Sequence, residues 1–165
     1  CYMGWRPQEM GLLKLENVDL EKWCITGGMK TDAGRHRTVP IHTCIRELVK
    51  RNYDEAIVLG SDRLFNDPES PKGGMKITYD KYASRFDKVI ASLQLRSEHR
   101  PHDPRTTFIT MAKKAGVDEY VVKRLAGHKI TDVTEAVYTI RDIEWLRDEI
   151  EKIPGPSRTQ NTSNI

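Results

Sequence analysis

The sequence lacks any apolar run approaching the ~20 residues of a membrane span, and it does not open with the basic and apolar segments of a secretory signal. Cysteine is scarce. Cys1, Cys24 and Cys44 are odd in number and show no CxxC spacing, which favours free thiols in a reducing compartment over a disulfide framework. A zinc site built from scattered cysteines and histidines is the minor alternative. We therefore expect a cytoplasmic protein.

What is present indicates one globular domain. The 165 residues are 38% hydrophobic and 31% charged, enough to build a domain with its own core. The chain begins at Cys1 without an initiator methionine, within what reads as a secondary-structure element that has already begun. We expect it to be a fragment of a longer protein.

Net charge is only +3, but the charges are unevenly distributed. Basic residues concentrate between Lys30 and Arg51 and again between Arg96 and Arg105, whereas residues 142–152 are net acidic. This pattern weakly favours one face for a polyanion and another face for something else. A solvated charged surface is the commoner meaning of such runs.

The periodicities predict a mainly α-helical α+β fold with a small antiparallel sheet. Strands near 23–28 and 36–41 form a hairpin, and the glycine-rich segment GGMKTDAG between them places Lys30 at or near its tip. Residues 61–76 read as a loop with Leu64 and Phe65 entering the core. Helical patterns cover six further stretches: the end of a helix near 6–15, then 42–52, 79–93, 104–116, 118–127 and 143–153. Asp118 is expected to cap the fifth of these helices at its N-terminus and Gly127 at its C-terminus. Thr131 or Asp132 is expected to cap a further short helix that carries Tyr138.

Four short motifs follow one another along the chain in an informative order. They are WRPQEMGLL with Arg6 and Glu9, GMKTDAGRHRTVPI with Lys30, PHDPRTTF with His102 and Arg105, and LAGH with His128, ten residues before Tyr138. Together they resemble the catalytic domain of the tyrosine recombinases, the phage and transposon integrases and Xer-like resolvases. No single motif is specific, but four in this order are. The resemblance covers roughly residues 1 to 150.

The resemblance implies a site-specific recombinase that breaks and rejoins double-stranded DNA through a 3′-phosphotyrosyl intermediate, without ATP, metal or cofactor. Tyr138 is then the nucleophile and Lys30 the general acid for the leaving 5′ oxygen. Charge that develops on phosphate oxygens needs fixed positive groups, and the planar fork of arginine suits that work. Arg6 and Arg105 are therefore expected to clamp the phosphate.

The remaining motif residues have supporting parts. His102 is expected to contact the phosphate and help move the nucleophile's proton, and His128 to hydrogen-bond a non-bridging oxygen. Glu9 is expected to hold Arg or His side chains by hydrogen bonding. The sequence departs from the family pattern without losing a catalytic group, at Met3, Trp5, Pro104, Thr106 and Ala126.

The family further implies a domain spanning 1–153, truncated at its N-terminus and lacking the DNA-clamping domain, with a disordered tail at 154–165. It also implies assembly into a tetramer on DNA and a place on the bacterial nucleoid. The apolar face of the last helix should dock on its own domain or on a neighbouring protomer. Two rivals remain open: a type IB topoisomerase that relaxes DNA, and a catalytically silent DNA-binding module.

Overall fold

The computed structural model describes residues 1–29, 34–69, 76–130 and 143–156. Over these ranges the chain forms helices around a small sheet, as predicted. The helices are α1 (Pro7–Met10), α2 (Arg46–Val58), α3 (Tyr79–Ser92), α4 (Asp103–Lys114), α5 (Glu119–Ala126) and α6 (Ile143–Glu151), and the strands are β1 (Val18–Asp19), β2 (Cys24–Gly27) and β3 (Arg37–Pro40). Short 3₁₀ helices at Leu15–Asn17 and Thr43–Ile45 precede β1 and α2.

The sheet is antiparallel, in the order β1-β2-β3. Its centre is the predicted hairpin, in which Ile25 pairs with Val39 and Gly27 pairs with Arg37. The sequence did not predict β1, which adds two residues opposite Ile25 and Cys24. In β3 only Thr38 is partly exposed, because Arg37, Val39 and Pro40 are all buried, and the buried run continues into Ile41. The hairpin is therefore part of the core.

The helices α4 and α5 begin and end where the sequence predicted. Pro104 lies in the first turn of α4, where its missing amide costs nothing. The Asp118 carboxylate accepts the amides of Tyr120 and Val121, and Gly127 ends α5 in the left-handed conformation, with φ +66°. The two helices pack on each other through a core that includes Phe108, Leu125 and Val121.

Other details differ from the sequence-based predictions. The predicted helix end at 6–15 is only a single turn, and the apolar face assigned to the second helix is only partly buried, because Val49 is covered while Leu48 is 49% exposed. Helix α3 has no fully buried residue, although its periodicity was amphipathic. In the loop that precedes it, Leu64 is buried and Phe65 packs against the core, as expected.

Helix α6 docks within its own chain. Leu146, Ile150 and Ile153 are buried in the common core, and the helix packs against β3. Polar contacts fix its end: the Glu151 carboxylate accepts from the amide and hydroxyl of Thr43, and His42 Nε2 lies 2.8 Å from the Ile153 carbonyl oxygen. Of the two docking modes left open by the sequence, this chain adopts the intramolecular one. No helix in the described ranges is long and apolar enough to cross a membrane.

Candidate active site

Arg6 stands at the N-cap of α1, directly before Pro7. Its guanidinium donates to Glu9 Oε1 at 3.1 Å and to the Gly127 carbonyl oxygen at 3.2 Å, and its amide donates to Glu9 Oε2 at 2.9 Å. The first of the predicted arginines is thus tied to the C-terminal end of α5, across 121 residues of sequence.

Arg105 lies in the first turn of α4 and is 3% exposed. Its Nη1 donates a 2.6 Å hydrogen bond to the carbonyl oxygen of Gly4, two residues before Arg6. Burial, followed by the charges of Arg6 and Arg37, lowers the pKa of Arg105 to about 10. The guanidinium remains charged at neutral pH, and the two predicted clamp arginines lie close enough for their charges to interact.

His102 occupies the N-cap position of α4 and is exposed. Pro104 stands where the family usually has leucine, a change expected to shift the start of the helix that presents His102. Helix α4 nevertheless begins at Asp103 and accommodates the proline in its first turn. The Asp103 carboxylate accepts the amide of Arg100 and lies 3.2 Å from His99 Nδ1. These contacts hold the turn that presents His102.

His128 follows Gly127, the residue that ends α5. Its side chain is exposed, yet loss of hydration around the imidazole lowers its pKa, and the charges of Arg105, Arg6, Arg37 and His102 add to the effect. Geometry supports the effect of Arg6, whose guanidinium donates to the carbonyl oxygen of Gly127, the residue before His128. His128 is therefore held in its neutral form more strongly than an ordinary surface histidine.

Hydrogen bonds bring three separate parts of the sequence together: Arg6 donates to the carbonyl oxygen of Gly127, beside His128, and Arg105 donates to that of Gly4, two residues before Arg6. With His102, whose charge also acts on His128, these residues form an electropositive cluster of Arg6, His102, Arg105 and His128. The charges repel one another, and Glu9 is the carboxylate whose charge acts on Arg105. Such a cluster is suited to an anion with several oxygens, such as a phosphate, because bound negative charge relieves the repulsion. Within the described residues, no three His, Cys, Asp or Glu side chains lie together as a metal site.

Glu9 is buried and binds two arginines, as the support role predicted for it requires. Besides Arg6, it accepts from Arg37 Nη1 at 3.1 Å and from Nη2 at 2.6 Å, and the amide of Met29 donates to Oε1 at 3.3 Å. Burial opposes its ionisation, but the hydrogen bonds from Arg37 and Arg6 prevail and bring its pKa to about 2.

The sequence reasoning missed Arg37, which it counted among the surface bases. The side chain is 2% exposed and stacks over the Trp5 ring, with Cζ 4.1 Å from the ring centroid. Trp5, one of the departures from the family pattern, thus covers a buried arginine. A signal was present: Arg37 lies two residues before the buried Val39 in β3, and the period of two places both side chains on one face.

The two remaining predicted residues, Lys30 and Tyr138, lie outside the described ranges. The flanks of the Lys30 segment are described, and they contact the site through Met29 and Gly34. The cap predicted at Thr131 or Asp132 and the short helix predicted to carry Tyr138 also fall outside.

A buried carboxylate orients two arginines, and a cationic cluster suited to a phosphate lies beside it, on a mainly helical domain. Residues 1–144 match the model of the phage integrase family. The chain belongs to that family.

Named relatives agree with this assignment. The chain is 30% identical over 156 residues to the tyrosine recombinase XerA of Pyrococcus horikoshii, an alignment covering 90% of this chain and 50% of the relative. It is 30% identical over 154 residues to the tyrosine recombinase XerD of Neisseria meningitidis serogroup B, with the same coverage. The chain thus spans about half the length of these curated relatives.

Solved structures show the same fold. The integrase from mycobacterium phage Brujita superposes with a TM-score of 0.67 at 21% identity, over 98% of this chain and 51% of the integrase. A structure of the Tn1549 transposon integrase in complex with circular intermediate DNA superposes with a TM-score of 0.62 at 21% identity, over 90% of this chain and 54% of that one. The fold is that of a tyrosine recombinase catalytic domain.

Proposed function

We propose that this chain is the catalytic domain of a site-specific DNA recombinase that cleaves and rejoins double-stranded DNA through a 3′-phosphotyrosyl intermediate. The observation that carries the proposal is the convergence of Arg6, Arg105, His102 and His128, coupled through their charges and supported by Glu9. Family membership and the names of the relatives, which are tyrosine recombinases, agree with it.

The chemistry follows from the charges. Arg6 and Arg105 bind the non-bridging oxygens of the scissile phosphate and offset the charge that develops as the phosphorus is attacked. Both guanidiniums are already fixed by carbonyl oxygens, Arg6 by Gly127 and Arg105 by Gly4. Little reorganisation is needed when a phosphate arrives, and preorganised donors of this kind stabilise a transition state most effectively.

His128 contributes as a hydrogen-bond donor. The depressed pKa keeps its imidazole neutral before DNA binds, so one ring nitrogen carries a hydrogen that it donates to a phosphate oxygen. His102, which is exposed at the start of α4, accepts the nucleophile's proton in this proposal and returns it during rejoining.

Tyr138 and Lys30 complete the reaction. The Tyr138 oxygen attacks the phosphorus and loses its proton, the bond from phosphorus to the 5′ oxygen breaks, and Lys30 protonates the leaving oxygen. The phosphotyrosyl ester conserves the bond energy, so attack by a 5′ hydroxyl reverses the step without ATP. The catalytic domain spans residues 1–153 in this proposal.

Strand exchange needs more than one active site, and we infer a tetrameric assembly on DNA. The intramolecular docking of α6 then represents the unassembled state, because its buried face of Leu146, Ile150 and Ile153 is shielded within the same chain. Such an enzyme would work at the bacterial nucleoid, where its substrate lies.

The test is covalent capture from a pool of duplexes that carry a nick at a fixed position and random sequence beside it. The protein is expected to form an adduct that survives denaturation, absent from Tyr138→Phe, with the nucleotide attached to Tyr138 by mass spectrometry. Sequencing the captured strands gives the target site.

Other outcomes separate the rivals. DNA binding without any adduct would identify a silent DNA-binding module. Relaxation of supercoiled plasmid without recombinant products on the captured site would favour a topoisomerase. An adduct on a residue other than Tyr138 would overturn the proposed nucleophile.

A further inference from the structure

The ion pair between Glu9 and Arg37 is the most thoroughly bonded charged pair in the described part of the chain, yet Arg37, which lies in the same stretch as Lys30, was assigned no role of its own. Its Nη2 lies 2.6 Å from Glu9 Oε2, with both side chains 2% exposed or less. Nε donates to the Leu125 carbonyl oxygen at 3.0 Å, and Nη1 donates to the Gly34 carbonyl oxygen at 2.8 Å. A buried arginine with this many fixed acceptors cannot move without breaking several of them.

Hydrogen-bond partners of this pair lie on both sides of one segment. Residues 30–33 follow Met29, whose amide donates to Glu9 Oε1, and they precede Gly34, whose carbonyl accepts from Arg37. A Cβ added at Gly28 would stand 1.8 Å from the Gly34 carbonyl oxygen, so the two stems of the segment touch at this point. The ion pair therefore fixes both ends of the segment that contains Lys30.

The same pair also fixes the phosphate clamp. Glu9 holds Arg6 through its amide and its guanidinium. Arg37 lies against the end of α5, where a Cβ added at Gly127 would be 2.9 Å from Nη1. Glycine at 127 is thus required by the approach of Arg37 as well as by its φ of +66°.

We propose that Arg37 is a positioning residue for the proposed reaction: through Glu9 and its own bond to Gly34 it holds Met29 and Gly34, the residues on either side of the segment that contains Lys30, relative to Arg6. The inference rests on the proposed function. Arg37 acts through other groups and does not touch the phosphate itself, because its side chain is buried and its fork already donates to Glu9, Gly34 and Leu125.

The variant that isolates this role is Arg37→Lys, which keeps the positive charge beside Glu9 and removes the fork that reaches Gly34 and Leu125 at once. Arg46→Lys is its matched control. Arg46 also lies over a tryptophan ring, that of Trp23 at 5.2 Å, and also donates Nε to a carbonyl oxygen, that of Ile41. It lies outside the site, so its replacement is expected to leave cleavage unchanged.

Single-turnover cleavage is measured under saturating DNA on two captured substrates, one normal and one with sulfur in place of the bridging 5′ oxygen. A thiol has a pKa near 8.5, so a thiolate leaves without being protonated. Cleavage of the sulfur substrate therefore does not depend on a general acid such as Lys30. Arg37→Lys is expected to cleave the normal substrate more slowly by on the order of 100-fold, as a misplaced catalytic group does. Cleavage of the sulfur substrate is expected to fall by much less, because only the disturbance of Arg6 through Glu9 then slows the reaction, and DNA affinity is expected to be retained.

Three results would overturn the inference: wild-type cleavage of the normal substrate by Arg37→Lys, an equal loss on both substrates, or an equal loss in Arg46→Lys. If the wild-type protein forms no adduct on either substrate, the proposed function fails, and amide hydrogen exchange then decides the role of Arg37 separately. Faster exchange of the Met29 amide in Arg37→Lys, but not in Arg46→Lys, would support it; unchanged exchange would overturn it.

Discussion

Arg105 and Gly4 are separated by 101 residues of sequence, yet Arg105 Nη1 donates a 2.6 Å hydrogen bond to the Gly4 carbonyl oxygen. Gly4 has a φ of +64° and precedes Arg6 by two residues. A backbone carbonyl is an acceptor that no side-chain motion can remove. The relation between the two clamp arginines is thus set by main-chain geometry at Gly4.

Gly4→Ala is expected to destabilise the domain and weaken sulfate binding at the site. An added Cβ would approach the buried Phe108 ring to 2.7 Å, and the left-handed backbone disfavours any side chain. Gly60→Ala is the matched control, because Gly60 has a φ of +63° with nothing within 4 Å. In urea unfolding, the control is expected to lower the free energy of unfolding by about 1–2 kcal/mol through its backbone conformation alone. Gly4→Ala is expected to lower it by more. Equal losses in the two variants would show that the Phe108 ring moves aside without a measurable loss of stability.

The Glu9 carboxylate makes stability depend on pH in the acid range. Its pKa falls from 4.5 to about 2 on folding, so its stabilisation is complete above pH 4.5 and is lost as the pH falls towards 2. The fall in pKa corresponds to roughly 3 kcal/mol. Glu9→Gln should remove this dependence from urea unfolding measured between pH 5 and 2. Glu119→Gln, which breaks an exposed pair with Lys123, should leave the dependence intact.

Removing the Glu9 charge should also lower stability at neutral pH. Arg37 would remain buried without its counter-charge, and breaking a buried pair by removing one partner costs about 3–5 kcal/mol. A Glu9→Gln variant as stable as wild type at pH 7 would mean that the Gly34 and Leu125 carbonyl oxygens alone suffice for Arg37.

His128 should titrate below the ordinary histidine value of 6.5 in the anion-free chain, because partial burial and the charges of Arg105 and Arg6 oppose its protonation. Sulfate supplies negative charge among the same groups and should raise its pKa. Imidazole resonances followed by NMR across pH 4 to 8, with and without sulfate, measure both values. His36, an exposed histidine, is the internal reference. A His128 pKa that is the same with and without sulfate would contradict an anion site at this cluster.

Ile150→Ala should destabilise the domain by about 2–5 kcal/mol, since it leaves a cavity in a fully buried position. Ile57→Ala on α2 is the control; Ile57 is 58% exposed, and its change should stay within about 0.5 kcal/mol. Thermal or urea unfolding of the monomer measures both. A small effect of Ile150→Ala at low concentration would show that α6 leaves its own chain in solution.

The sequence determined most of the local structure. Asp118 and Gly127 delimit α5 because an N-cap carboxylate and a left-handed C-terminal glycine act through their immediate neighbours. The alternation of Val39 and Ile41 located β3 for the same reason. The motif order identified the family and proposed Arg6, Arg105 and His128 as partners, since residue type and spacing carry that information without coordinates.

Tertiary structure alone decided how those residues are held. Arg37 reads as one more base in a basic stretch, and its burial follows from contacts with Trp5, Glu9 and Leu125, which lie up to 88 residues away. Helix α6 has an amphipathic pattern that fits a neighbour's surface as well as its own, and packing against β3 resolved the choice. Hydrophobic patterning states that a face must be covered, whereas only the assembled core shows which surface covers it.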